Sequence, residues 1–168
     1  MLETLTLRGC IEFAVATEEH GAETYARLAE KFSRDPETSK IFSRLSEDER
    51  IHKQQFSNLL GQALKESAAP PREDAEYLQA MSHITFFSKY KGPFKDIDSV
   101  KDRDDALVVA LEFEKATLGF YRAVEEVEGS SEVLKTVIDA EKSHIVAIMK
   151  ALLVEGSKFR GLQDDWGS

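Results

Sequence analysis

The chain has 168 residues, 42 % of them hydrophobic and 32 % charged, with 22 Lys and Arg against 31 Asp and Glu for a net charge of −9. That is enough apolar material for one core, and the acidic excess argues against nucleic acid or an anionic membrane surface as a partner. A lone cysteine, Cys10, excludes a disulfide framework and any four-thiolate metal centre. No apolar run reaches the roughly 18 residues of a membrane span, and Glu3 and Glu12 stand where a signal peptide would be basic and then apolar, so a cytoplasmic protein is expected.

Four prolines (Pro36, Pro70, Pro71, Pro93) and nine glycines leave long stretches unbroken, which favours helices. The first helix is predicted over 4–32, with an apolar stripe of Leu7, Ile11, Ala14, Tyr25, Leu28 and Phe32 interrupted at Glu18 and Gly21. Asp35-Pro36, a cap followed by a proline at the first helical position, opens the second, over 36–61. Its stripe of Phe42, Leu45, Phe56 and Leu59 is interrupted at Glu49 and His52. A crossover over about 62–100 holds Pro70-Pro71 and Gly92-Pro93, with one short helix near 73–83. The third helix, 101–128, carries Leu107, Leu111, Leu118 and Tyr121 around Glu114. Gly129-Ser130-Ser131 stops it and caps the fourth, 131–155, where Leu134, Val137, Ile148 and Ala151 flank Glu141 and His144. The expected fold is all-α: an up-down four-helix bundle of two hairpins joined by a long crossover, one domain over 1–156 with a polar tail at 157–168.

Each stripe is thus apolar at both ends and broken near its middle by a glutamate, or by a glutamate and a histidine one turn apart. Burying an unpaired carboxylate costs several kcal/mol. Two divalent cations, at +4, would cancel four carboxylates at −4, with two neutral imidazoles completing the set. The heights agree as well. Residues level with each other in an antiparallel hairpin are equidistant from its turn. Glu18 and the Glu49/His52 pair centre near residue 34, and Glu114 and the Glu141/His144 pair near 128, at the two turns.

The halves repeat. Glu18 precedes Tyr25, and Glu114 precedes Tyr121, by seven residues each. Leu45-Ser-Glu-Asp-Glu-Arg-Ile-His52 parallels Val137-Ile-Asp-Ala-Glu-Lys-Ser-His144, so a pseudo-twofold would oppose two similar half-sites. With 20 glutamates in the chain, a histidine has about a one-in-eight chance of a glutamate three places before it, so one Glu-x-x-His means little. Two of the four histidines match, on core faces and at equivalent repeat positions, which favours a dinuclear site over a structural polar network. Tyr25 and Tyr121 lie about 10.5 Å along the axis from their glutamates. Long side chains lean back toward the helix N-terminus, so each hydroxyl either orients a ligand or simply packs in the core.

On Glu18…Tyr25, Glu49-Arg50-Ile51-His52, Glu114…Tyr121 and Glu141-Lys142-Ser143-His144, the sequence over about 5–155 resembles the ferritin-like superfamily, and the rubrerythrin family most closely. The resemblance implies Glu18 and Glu114 as terminal ligands, Glu49 and Glu141 as bridges, and His52 and His144 as one imidazole per metal. It implies two iron ions, or manganese, and an oxidoreductase reducing peroxide or dioxygen, with iron storage or ferrous oxidation as the neighbouring option. Two features depart from the family. Rubrerythrins carry a four-cysteine rubredoxin module, lacking here, so the resemblance implies an external electron donor. They also carry a second carboxylate on the third helix, where Thr117 stands (or Leu111, in the opposite register), so the redox-linked ligand exchange loses its group. A homodimer or higher homo-oligomer is expected, since bundles of this kind commonly assemble.

The remaining candidates read more plainly. His20 falls off the stripe as a surface histidine, and His83, in the crossover among Phe86, Phe87 and Tyr90, is expected to pack against the bundle or a partner chain rather than to ligate. Cys10 reads as a small buried hydrophobe. Asp96, Asp98, Asp102, Asp104 and Asp105 lack the glycine and terminal glutamate of a calcium loop and read as solvated loop and helix-start charges.

Overall fold

The computed structural model describes residues 7–63 and 100–154. Within them lie four helices and no strand: α1 (Leu7–Lys31), α2 (Pro36–Ala63), α3 (Arg103–Glu128) and α4 (Glu132–Leu152). The short helix expected near 73–83, His83, Asp96, Asp98 and the tail lie outside the described residues, as does the side chain of Cys10.

The helix ends are set by local chemistry. Asp35 caps α2, its carboxylate accepting the Thr38 backbone N–H at 3.2 Å and the Thr38 hydroxyl at 2.5 Å. These bonds, the hydroxyl's first, hold the Asp35 carboxyl below the usual range. Gly129 ends α3 at φ 84°, a left-handed conformation that favours glycine, and donates its N–H to the Glu125 carbonyl at 2.9 Å. Ser131 then caps α4, accepting the Leu134 N–H at 3.1 Å, and Asp102 caps α3, accepting the Asp105 N–H at 3.0 Å.

One expectation is corrected. Asp104 is buried, 6 % exposed, rather than solvated. The reason is Arg103, whose guanidinium stands 3.2 Å from the Asp104 carboxylate. Arg103 also donates to the Thr38 hydroxyl at 3.0 Å and to the Ala151 carbonyl at 2.7 Å, so one cation ties together the ends of α2, α3 and α4. A carboxylate that meets such a partner can leave water.

The four helices form a bundle in which α1 packs along α2, and α3 along α4, with α2 also meeting α4 and α1 meeting α3. Two apolar clusters fill it. One gathers Tyr25, Leu28, Phe42, Leu45, Leu107, Phe113 and Ile148. The other gathers Ile11, Phe13, Phe56, Leu118, Phe120, Tyr121 and Val137. Among the described residues the two clusters share no buried hydrophobic residue, and the interrupted stripes supply the polar layer between them.

Candidate metal centre

That layer holds Glu18 from α1, Glu49 and His52 from α2, Glu114 from α3, and Glu141 and His144 from α4. All six are buried, and the four glutamates are no more than 1 % exposed. Their donor atoms form two groups, Glu18/Glu49/His52/Glu141 and Glu49/Glu114/Glu141/His144, each with its atoms within 4.8 Å of one another. Glu49 and Glu141 belong to both. The six residues singled out by the interrupted stripes are brought together as two four-residue positions sharing two carboxylates.

In the first position, His52 Nδ1 stands 3.4 Å from Glu18 Oε2, 3.4 Å from Glu49 Oε2 and 3.3 Å from Glu141 Oε1. None of these four atoms has a hydrogen-bond partner among the described residues, and neither has Glu49 Oε1. Each buried polar atom left this way costs about 1–3 kcal/mol. The spacings are long for hydrogen bonds, yet they match the roughly 3.0–3.4 Å edges of a polyhedron whose oxygen and nitrogen ligands lie ~2.1 Å from a shared cation. The donor set fits a pair of hard or borderline divalent ions.

Electrostatics point the same way. Burial, reinforced by facing carboxylates, lifts all four carboxyl pKa values: Glu18 upward, Glu49 well upward, Glu114 to about 8 and Glu141 to about 7. Burial alone would lower His52, but the carboxylates of Glu141, Glu18 and Glu49 outweigh it and raise the imidazole to about 12. Four crowded carboxylates need positive charge, and protons supply it until a cation does.

The tyrosines reach across the bundle. Tyr25 on α1 donates its hydroxyl to Glu114 on α3, and Tyr121 on α3 donates to Glu18 on α1. Each tyrosine thus serves the glutamate of the opposite half, a reciprocal crossing that follows the repeat. Their rings stack on Phe42 and Phe56, with centroids 6.1 Å and 5.2 Å apart. The hydroxyl role and the packing role, weighed as alternatives from sequence, coexist.

Two contributors escaped the sequence reading. Thr117, noted only as the place of a lost carboxylate, is buried and donates its hydroxyl to Glu141 Oε2 at 2.7 Å. Leu111, the other register, packs against the apolar cluster instead. Asp48 places Oδ2 3.3 Å from His144 Nε2, while His144 Nδ1 faces Glu114 Oε2 at 3.1 Å. The only sequence signal for Asp48 was its place directly before Glu49, which a solvated acidic face shares. His20 is exposed and stands apart from these groups. Among the described residues, no helix is long and apolar enough to cross a membrane.

A family model described as Rubrerythrin matches residues 10–153, a span that contains all six residues of the polar layer. Neither the curated proteins nor the solved structures gave a match to the chain.

Proposed function

The chain belongs to the rubrerythrin family, and we propose that it is a di-iron carboxylate oxidoreductase that reduces peroxide or dioxygen with electrons from an external donor. The observation that carries this reading is the pair of four-residue groups sharing Glu49 and Glu141, five of whose buried donor atoms have no hydrogen-bond partner among the described residues. Glu18 with His52, and Glu114 with His144, would each hold one ion, and Glu49 and Glu141, which belong to both groups, would be shared between them. Two divalent ions would neutralise the four carboxylates, and a set of oxygens and imidazoles without thiolate suits iron, or manganese, better than structural zinc.

When bound, two ferrous ions supply the two electrons that convert hydrogen peroxide and two protons into two waters, and the donor then restores them. The protein's own part is to orient and to exclude. Apolar clusters on both sides keep bulk water from the layer, and Thr117 fixes one oxygen of Glu141. Tyr25 fixes Glu114, and burial first, then Glu114 and Glu49, holds its hydroxyl well above 10, so it remains a proton-bearing donor throughout the neutral range.

The test is anaerobic loading with Fe(II), followed by peroxide or dioxygen in separate runs. Oxidation of the bound iron faster than that of free iron supports the proposal, and peroxide should be the faster oxidant. If neither oxidant outpaces its reaction with free iron, the enzyme reading fails and iron binding without turnover takes its place. A homodimer or higher homo-oligomer belongs to the same proposal. Sizing in solution tests it, and a hollow multimer would favour storage.

A further inference from the structure

The repeat would make the two metal positions equivalent, but the side chains around them are not. At the His52 position, all four facing atoms (Glu18 Oε2, Glu49 Oε2, Glu141 Oε1 and His52 Nδ1) are buried without a hydrogen-bond partner among the described residues. At the His144 position, only Glu49 Oε1 is in that state. There His144 Nδ1 meets Glu114 Oε2 at 3.1 Å, and Glu141 Oε2 is engaged by the Thr117 hydroxyl at 2.7 Å. An ion entering the first position satisfies four orphaned atoms and takes the place of the one proton through which His52 Nδ1 meets its three carboxylates. An ion entering the second must displace the His144–Glu114 contact and share an oxygen already bonded.

Two residues without counterparts in the other half create the difference. Three places after Glu114 stands Thr117, whereas three after Glu18 stands Gly21, which has no donor. One place before Glu49 stands Asp48, whereas one before Glu141 stands Ala140. Asp48 faces the outer nitrogen of His144, Nε2, at 3.3 Å. A carboxylate there fixes the ring so that Nδ1 points inward and raises its strength as a ligand. Of the two histidines it meets that of the second position, and its other ion-pair partner, Arg44 Nε at 3.7 Å, lies one turn back on its own helix.

We propose that the two positions load in order, the His52 position first and the His144 position second, and that Asp48 is a positioning residue that sets the affinity of the second. The inference rests on the metal-centre reading above. The Asp48 side chain is about a third exposed, at 31 %, so its removal should weaken the second step by about tenfold, the lower end of such effects.

The experiment titrates Zn(II), which is diamagnetic and redox-inert, into metal-free protein carrying 15N-labelled histidine. In the wild type, the His52 ring nitrogens should shift over the first equivalent and those of His144 over the second. Asp48→Ala should leave the first step unchanged and weaken the second about tenfold, and Asp48→Asn, which keeps an acceptor oxygen without the charge, should recover part of the loss. Asp48→Asn also carries the test alone if the alanine variant does not fold. His144 shifting first, both rings shifting in step, or substitutions that affect both steps equally or neither, would overturn the inference. Binding of fewer than two zinc ions per wild-type chain would instead refute the metal-centre reading itself.

Discussion

The metal-free protein should lose stability as pH rises through neutrality. A carboxyl whose pKa is higher folded than unfolded favours the folded state when protonated. Its contribution is complete below the unfolded value of 4.5 and is lost as pH climbs to the folded value. For Glu114, which reaches about 8, the window spans 8 − 4.5 = 3.5 pH units, on the order of 5 kcal/mol at about 1.4 kcal/mol per unit. Glu141, which reaches about 7, acts in the same direction over 4.5 to 7. His52 adds to it, because an imidazole raised from 6.5 to about 12 stabilises the fold fully below 6.5 and loses that contribution as pH rises through the folded value. A loss of about 5 kcal/mol is comparable to the whole stability of many domains. Chelator-treated protein should therefore be far easier to unfold at pH 8 than at pH 5. Urea denaturation followed by circular dichroism at pH 5, 6.5 and 8 measures this directly. Protein loaded with Mn(II), which is stable in air, should reverse the trend, because cations replace protons and bind only the deprotonated ligands. A metal-free midpoint that is flat or rises between pH 5 and 8 would refute the assignment of these carboxylates to a crowded, desolvated layer.

Glu49→Ala removes one of the two residues common to both groups, so metal analysis should fall from two ions per chain to one or none, whereas a purely structural bundle would show no metal before or after. Tyr121→Phe keeps the ring but leaves Glu18 Oε1 without its donor, and Tyr25→Phe does the same at Glu114. Each should cost the metal-free protein about 1–3 kcal/mol in urea denaturation, and an unchanged midpoint would deny the hydroxyls their role. Gly21→Ala would ordinarily gain up to ~1 kcal/mol of helix propensity. Here the added methyl would meet Phe113 Cε1 at 3.1 Å and Cζ at 3.3 Å, with Glu49 Cγ at 3.4 Å. Phe113 is buried and set edge-on to Tyr25, so it has little room to yield. The variant should be destabilised by about 1 kcal/mol, and a higher melting temperature would show that the ring moves freely.

Much of the fold was legible because periodicity and punctuation agreed. Asp35-Pro36 and Gly129-Ser130-Ser131 each mark a turn by the chemistry of a cap or a left-handed residue, and the structure places the helix boundaries within a few residues of those marks. The polar layer was legible for a related reason. A glutamate on an otherwise apolar stripe is expensive, so four at one height demand a common cause. Cross-helix partners were not legible. The tyrosines sit seven residues from glutamates on their own helices, yet their hydroxyls serve glutamates on the opposite ones, because spacing along a helix gives height and face but not the neighbour met across the core. Asp48 and Thr117 were hidden more deeply. One reads as part of an exposed acidic run and the other as an ordinary helix residue, and only packing shows what each touches.

Symmetry in the sequence therefore has a limit as evidence. The repeat predicts two half-sites, and six equivalent residues obey it. The deviations, Thr117 against Gly21 and Asp48 against Ala140, fall beside the ligand residues rather than among them. Substitution at a ligand would change how many ions the layer can neutralise, and four buried carboxylates leave little room for that. Substitution one position away changes only how tightly each ion is held. Gly21 also lies close under Phe113 and Glu49, so a threonine could not be accommodated there without moving one of them. The asymmetry is thus built into the packing of α1 against α3. Restoring the symmetry would require reshaping the core, so the inequivalence of the two positions should persist whichever divalent metal occupies them.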